Sequence, residues 1–415
     1  MLKNKNVIIG VTGSIAAYKI AGLVSMLKKI NCNVDVIMTK NATNFINPIT
    51  FETLSGSKCI IDTFDRNFQY NVEHISLAKK ADVMLIAPAS ANVIGKIASG
   101  IADDMLTTTF MACSCKKIVA PAMNTNMYLN PILQDNIRKL KSFGIEVINP
   151  DNGHLACGDE GVGKMPSEDT LLEYILKEVT CKKDMVGLRV CVTAGPTREA
   201  IDPVRYISNN STGKMGYAIA RNAMMRGADV TLISGPVNLS PIPFIKQVNV
   251  VSAEDMYNAV MECTAPGIDQ RGCDIVVMAA AVADYKPETV SDNKIKKTDE
   301  DIAIQLDRTA DILKSLGQKK TEDNLSGNNI AHSGPFLCGF SMETQNMLQN
   351  SRQKLTKKNL DMIVANNLKV AGAGFGKDTN VVTIITEDNC YELDLMPKYE
   401  VAEKIFDHIL DRMKK

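Results

Sequence analysis

Two residue types whose protons exchange near neutral pH stand in segments built mostly of small side chains: His74 in Val72-Glu73-His74-Ile75-Ser76-Leu77, and Cys157 in Leu155-Ala156-Cys157-Gly158-Asp159-Glu160-Gly161. Singly, such a histidine reads more often as structural and such a cysteine as buried filler. The glycines beside Cys157 point instead to a loop that presents and withdraws a thiol. A second chemistry is anion binding. Gly10-x-x-Gly13-Ser14-Ile15 runs from an apolar segment into a helix, so its amides and hydroxyl could hold a phosphate or simply make a tight turn. It does not satisfy the dinucleotide fingerprint. Ala87-Pro88-Ala89-Ser90-Ala91-Asn92 and Pro121-Ala122-Met123-Asn124 offer polar groups where a bound ring could be read. For either segment alone, ordinary strand-to-helix punctuation is the plainer account.

The second half holds denser anion-binding material. Asp202-Pro203-Val204-Arg205-Tyr206-Ile207-Ser208-Asn209-Asn210-Ser211-Thr212-Gly213-Lys214-Met215-Gly216 opens a helix with many amide and hydroxyl donors. Gly213-Lys214 is followed by Met215, so the phosphate loop GxxxxGK[ST] is not satisfied, which argues against a P-loop ATPase. Ala279-Ala280-Ala281-Val282-Ala283-Asp284-Tyr285 would let a nucleotide approach the backbone closely, or let helices pack tightly. Lys294-Ile295-Lys296-Lys297 concentrates positive charge, and Lys354 and Lys358 stand one helical turn apart. Lysines on a helix are usually solvated surface.

The elements that must position these residues alternate short β-branched runs with helical stretches, the pattern of parallel sheets covered by helices. Strands are predicted at 7–11, 34–38, 83–87, 118–120 and 146–148, with helices at 15–29 and 92–113. The pattern restarts at 188–192, which puts a boundary near 185–187 and predicts domains 1–184 and 185–415. The second predicts helices at 216–226 and 398–414, and strands at 229–233, 274–278, 336–340, 362–365 and 381–385. Segments 264–271 and 321–334 read as polar surface insertions. The fold class is α/β, two doubly wound Rossmann-like domains.

Composition narrows the function. With 45% hydrophobic and 23% charged residues, 415 residues can fill two cores, and dominant disorder is excluded. Lys plus Arg and Asp plus Glu are 47 each, so nothing suggests a nucleic-acid partner. Eleven cysteines without a CxxC pair, and only four histidines, fit free thiols rather than a disulfide framework or a zinc site. No signal-peptide pattern or membrane-spanning run is present, and the expectation is a cytoplasmic protein.

GVTGSIAAYK, HISLA, PASAN, DDMLTTTFMA, PAMN and LACGDEG, in this order over residues 1–180, resemble the flavin-containing cysteine decarboxylases, and within them the phosphopantothenoylcysteine decarboxylases. The resemblance implies a flavodoxin-like domain with FMN, held by Gly13, Ser14, Ile15, Thr39, Ser90 and Asn92. It implies that FMN oxidises the substrate thiol so that carbon dioxide can leave, and afterwards returns a hydride. His74 would assist the oxidative half, Asn124 would grip the substrate carboxylate, and Cys157 would donate the final proton.

AGPTRE, DPVRYISNNSTGKMG, AAAVADY, KIKK, GF-x-x-ET and KNLD-x-IVAN are similar to the bacterial phosphopantothenate–cysteine ligases. This implies that CTP activates 4′-phosphopantothenate as an acyl-cytidylate, with Mg2+ (or Mn2+) on the phosphates, before L-cysteine displaces CMP. Asn209 would hold that intermediate, Arg205 the substrate, and Ala280, Asp284, Lys294, Phe340, Lys354 and Lys358 the CTP. No metal ligand is assigned. Asn210 stands where the ligases commonly have histidine, and Ser341-Met342 where they have two alanines. Decarboxylase before ligase is the order of the bifunctional bacterial coenzyme A biosynthesis proteins. That family implies a homo-oligomer, a dodecamer of decarboxylase trimers and ligase dimers. Two other readings are a regulatory protein on the decarboxylase fold and a peptidyl-cysteine decarboxylase. The presence of His74, Asn124 and Cys157 argues against the first, and the ligase half against the second.

Overall fold

From Val7 to Val11 every side chain is buried, so this segment forms an interior strand covered on both faces. The computed structural model describes residues 2–64, 72–154, 158, 160–266, 272–297, 303–325, 334–342, 346–366, 374 and 376–414. The chain divides into two units, Met1–Lys182 and Lys183–Lys415.

In the first unit β1 (Asn6–Val11), β2 (Asn33–Met38), β3 (Val83–Ala89), β4 (Lys116–Pro121) and β5 (Glu146–Val147) form a parallel sheet in the order β2-β1-β3-β4-β5. This is the flavodoxin-like order, with its switch point between β1 and β3. The helices are α1 (Lys19–Lys29), α2 (Pro48–Ser55), α3 (Glu73–Lys80), α4 (Ala91–Ala98), α5 (Met105–Ala112), α6 (Thr125–Leu129), α7 (Pro131–Ser142) and α8 (Glu168–Val179). Strand side chains alternate between faces. Val7, Ile9 and Val11 pack with Leu23 and Leu171, whereas Ile8, Met84 and Ile86 pack with Ile94, Phe110 and Ile137. Each such fully buried side chain contributes about 1.5–3 kcal/mol. A hairpin of β6 (Asp151–His154) and β7 (Glu160–Lys164) stands outside the sheet.

The single helix expected over 92–113 is two helices. Gly100 takes φ +73°, and Asp104 restarts the chain with a capping box: its carboxylate accepts from Thr107 N at 2.8 Å while Thr107 Oγ1 accepts from Asp104 N. The strand expected at 146–148 ends at Val147, although Ile148 N still donates to Val119 O.

In the second unit the sheet is built from β8 (Arg189–Ala194), β11 (Asp229–Ser234), β12 (Lys246–Asn249), β13 (Ile275–Met278), β16 (Phe336–Met342), β17 (Met362–Asn366), β19 (Val382–Ile385) and β20 (Cys390–Glu392). Its order is β12-β11-β8-β13-β16-β17-β19-β20. The first six strands are parallel and follow the Rossmann order 3-2-1-4-5-6, with the switch point between β8 and β13. The last two pair antiparallel, an edge that the repeating pattern did not predict. The short pieces β9 (Arg198–Ala200) with β10 (Tyr206–Ser208), β14 (Tyr285–Pro287) with β15 (Leu306–Arg308), and β18 (Thr379–Asn380) with β21 (Met396–Pro397) form small ribbons. Too few residues long to show a period, they left no signal in the sequence. The helices are α9 (Lys214–Met225), α10 (Ala253–Thr264), α11 (Ile312–Leu325), α12 (Met347–Lys357) and α13 (Lys398–Met413).

Two expected insertions begin later than predicted. Helix α10 keeps Thr264, whose buried hydroxyl donates to Val260 O, and α11 continues through Leu325. Of the rest of these insertions, 267–271 and 326–333 lie outside the described residues. Near the start of the unit, buried Arg226 donates to Asp184 and Asp407 at 2.8 Å each.

Candidate active sites at two switch points

Buried polar residues at the ends of apolar strands are costly unless hydrogen-bonded, so their partners show what they hold. Thr12, fully buried after β1, donates to Pro88 O at 2.7 Å and accepts from Ser90 N at 2.9 Å. One hydroxyl therefore fixes the β1 and β3 loops against each other across the switch point. Gly13 leaves no room for a side chain, since a Cβ there would lie 2.8 Å from Asn41 Cβ. Ser14 caps the turn of Ile15–Tyr18 by accepting from Ala16 N, and Ser90 caps α4 by accepting from Val93 N. Thr39 N donates to Val11 O, which brings the end of β2 to the same edge. Ile15 and Asn92 are exposed there. All six residues expected to hold the flavin thus lie at the carboxyl edge around β1, β2 and β3.

Asn124 follows β4 and caps α6, accepting from Asn126 N at 2.8 Å. Two glycines of β7 bring the hairpin onto it. At Gly163, with φ +142°, a Cβ would fall 2.3 Å from Met123 O, and at Gly161 it would fall 2.7 Å from Thr125 Oγ1. Met123 N also donates to Gly163 O at 3.0 Å. The hairpin stem that carries residues 155–159 is therefore seated on the 123–125 segment. Cys157 itself lies outside the described residues. Half-buried His74 sits in the first turn of α3, whose last turn leads into β3 two residues later. The helix returns along the sheet, so its first turn is directed to the carboxyl edge.

At the second switch point Thr193 Oγ1 accepts from Ala280 N at 3.1 Å, and Thr197 Oγ1 accepts from Ala283 N at 3.0 Å. Ala281 N donates to Gly195 O, and exposed Asn209 donates through Nδ2 to Ala281 O at 3.1 Å. The loop continues to Asp284, whose carbonyl accepts from Thr309 N at 3.0 Å. Two residues on, Asp311 pairs with Lys358 at 2.8 Å. Asn209, Ala280, Asp284 and Lys358 are thereby drawn into one neighbourhood. Phe340 is half-buried on β16, beside β13, and Lys354 is in the last turn of α12.

Arg205 and Lys294 form a second cluster around Asp202. The buried Asp202 carboxylate accepts from the N–H groups of Val204 and Arg205 at 2.8 Å, from Ile295 N at 3.1 Å, and from the Arg205 guanidinium. Arg205 also donates to Ile295 O at 2.9 Å. The guanidinium first, then the backbone N–H groups, hold this carboxyl below the usual carboxylate range against the cost of its burial. Arg205 is thus engaged in fixing the segment that carries exposed Lys294. Lys214 is engaged as well, donating to Asp378 at 2.7 Å and to Gly376 O at 2.9 Å.

Thr12, Thr193, Thr197, Asp202, Gly161 and Gly163 escaped the sequence reading as functional residues. A threonine closing a run of apolar strand residues is the signal that could have found the first two. Among the described residues no group of three or more His, Cys, Asp or Glu could hold a metal, and no helix is long and apolar enough to cross a membrane.

Residues 1–180 match the family described as Flavoprotein, and residues 185–413 match the DNA/pantothenate metabolism flavoprotein C-terminal domain. The chain is 45% identical over 413 residues to the coenzyme A biosynthesis bifunctional protein CoaBC of Bacillus subtilis (strain 168), covering 99% of this chain and 97% of that one. It is 37% identical to the protein of the same name from Escherichia coli (strain K12), covering 99% and 98%. A crystal structure of a C-terminal domain of CoaBC is 39% identical, covers 55% of this chain and 97% of its own, and superposes with a TM-score of 0.44. With likeness running the full length of both proteins, the chain belongs to the bifunctional coenzyme A biosynthesis enzymes, a flavoprotein unit followed by a ligase unit.

Proposed function

We propose that the second unit joins L-cysteine to 4′-phosphopantothenate at the expense of CTP, and that the first unit decarboxylates the product to 4′-phosphopantetheine with FMN. The observation that supports this reading is the pairing in one chain of two doubly wound sheets, each with a switch point whose flanking loops carry residues of the motifs named above. A flavin phosphate is assigned to the Gly13-Ser14 turn, which lies at the carboxyl end of β1 beside the β1–β3 switch point and leads into the helical turn that Ser14 caps. FMN, when bound, supplies the two-electron chemistry at the substrate thiol.

The chain's own residues do the rest. His74 takes the proton released at the substrate thiol, and Asn124, fixed by its cap and the seated hairpin, orients the carboxylate for loss of carbon dioxide. Cys157 returns a proton to the product, a task suited to a neutral thiol of pKa about 8.5. In the second unit Asn209 holds the acyl-cytidylate, and Ala280, Asp284, Lys294, Phe340, Lys354 and Lys358 line the CTP site. Arg205 positions Lys294 through Asp202 and Ile295 on the substrate side. Mg2+ (or Mn2+) arrives with the triphosphate, as magnesium commonly does. The protein works in the cytoplasm as a homo-oligomer of decarboxylase trimers and ligase dimers.

A product assay by mass spectrometry tests this on the purified yellow protein, with 4′-phosphopantothenate, cysteine and Mg2+, with and without CTP. Formation of 4′-phosphopantetheine only with CTP is expected. Cys157→Ser should stall after decarboxylation, at the aminoenethiol. No product in any arm would sink the proposal, and normal turnover by Cys157→Ser would remove the proton-donor role.

A further inference from the structure

The cysteines have no paired spacing in the sequence, yet the fold gathers three of them beneath the amino edge of the second sheet. Cys263, near the end of α10, places its Sγ 3.5 Å from that of Cys273, just before β13. Cys273 Sγ also lies 3.2 Å from the Cys263 carbonyl oxygen. Cys191, fully buried in β8, neighbours both thiols. Gly272 makes the approach possible, because a Cβ there would come within 2.7 Å of Thr264 O. Cys263 and Cys273 are half-buried and line a cavity of about 240 Å³, with Lys246 and Arg189 in its walls.

Hydrogen bonds from Cys191 and Cys273, helped by Thr231 and the charge of Lys246, pull the Cys263 thiol far down despite its burial. Cys191 also lowers Cys273, but the bond to Cys263 and desolvation outweigh this and push Cys273 up to about 12. A thiolate beside a neutral thiol, at the wall of a cavity, is the arrangement of an attacking and a resolving cysteine.

We propose that Cys263 and Cys273 form a reversible oxidation site for small hydroperoxides, at the edge of the second sheet opposite its switch point. Cys263 thiolate attacks the terminal oxygen of the peroxide: an S–O bond forms, the O–O bond breaks, and the other oxygen leaves, after protonation, as an alcohol, or as water from hydrogen peroxide. Cys273, giving up its proton, then attacks the Cys263 sulfur; the S–S bond forms, and the S–O bond breaks with loss of water. Two thiols are oxidised, one peroxide is reduced, and an added dithiol restores both thiols.

The full-length protein is treated with hydrogen peroxide, digested and mapped by mass spectrometry. A peptide pair linked through Cys263 and Cys273, lost on reduction, is the expected product. In Cys273→Ser the oxidised Cys263 should persist as a sulfenic acid trapped by dimedone. On the untreated protein, iodoacetamide at neutral pH should label Cys263 roughly tenfold faster than exposed Cys390, because the thiolate is the nucleophile. Labelling of Cys263 no faster than Cys390, or oxidation that links other cysteines first, overturns the proposal.

Discussion

At the first switch point one buried hydroxyl, that of Thr12, joins two strand-end loops. At the second, Thr193 and Thr197 each accept one N–H of the 280–283 loop, from Ala280 and Ala283, with Asn209 added from a third segment. The first site is completed from outside the sheet, by a hairpin seated through glycines on the 123–125 segment. The second is completed from within it, where Gly235 passes so close to Pro196 that a Cβ would lie 1.9 Å from its carbonyl oxygen. The contrast suits the proposed chemistries. A thiol that must approach and leave is carried on an appended hairpin, while a nucleotide that must be held in line meets a stitched floor.

The largest effects should come from filling those glycine gaps. Gly163→Ala sets a methyl against Met123 O at positive φ, and Gly235→Ala sets one against Pro196 O; each should cost about 3 kcal/mol locally. Gly163→Ala should abolish decarboxylation and spare cysteine ligation, and Gly235→Ala should do the reverse. Separate assays of the two half-reactions check this. Loss of both reactions in either variant would break the distinction between an appended and a stitched site.

Next come the hydroxyls. Thr12→Val strands the Pro88 carbonyl and the Ser90 amide, whereas Thr193→Val strands only the Ala280 amide. An unmet buried group costs about 1–3 kcal/mol, so Thr12→Val should be the more destabilising and should lower the flavin bound per chain. Thr193→Val should leave flavin content unchanged and raise the KM for CTP. Absorbance of bound flavin and thermal melting separate the two.

A smaller effect is tied to pH. The Asp202 carboxyl is depressed in the folded state, so its contribution to stability is fully present above the unfolded pKa, about 3.9, and is lost as pH falls through the folded value. The melting-temperature difference between the native protein and Asp202→Asn should be constant above about pH 5 and should shrink below about pH 4. Asp202→Asn should also weaken CTP binding at neutral pH, because Ile295 and Arg205 lose their common acceptor beside Lys294.

The parallel strands were legible because full burial writes itself as continuous apolar runs such as 7–11 and 83–89. The helix break at 99–104 was legible only in hindsight, since it depends on a glycine and a capping box inside a continuous apolar pattern. Motifs marked the strand-end loops at each edge, but not the bonds that join them. That Arg205 is spent on Asp202, that Lys358 pairs with Asp311, and that Thr309 links Asp284 to that pair are contacts between distant segments. Periodicity carries no trace of such contacts.

The smallest effect concerns the two positions where the ligase pattern is broken. Along β16 alternate residues face opposite ways, so Phe340 and Met342 share one face and Ser341 takes the other. Ser341 is buried there, its hydroxyl 2.7 Å from that of fully buried Ser351 on α12. Its presence is explained by a partner in the helix rather than by the nucleotide. Ser341→Ala alone should cost about 1 kcal/mol by leaving Ser351 unmet, and adding Ser351→Ala should recover most of it. Neither variant should change the KM for CTP. Met342→Ala, on the Phe340 face and 38% exposed, should change that KM with little effect on stability. A shift in KM from Ser341→Ala, with none from Met342→Ala, would reverse the assignment of faces to nucleotide and core.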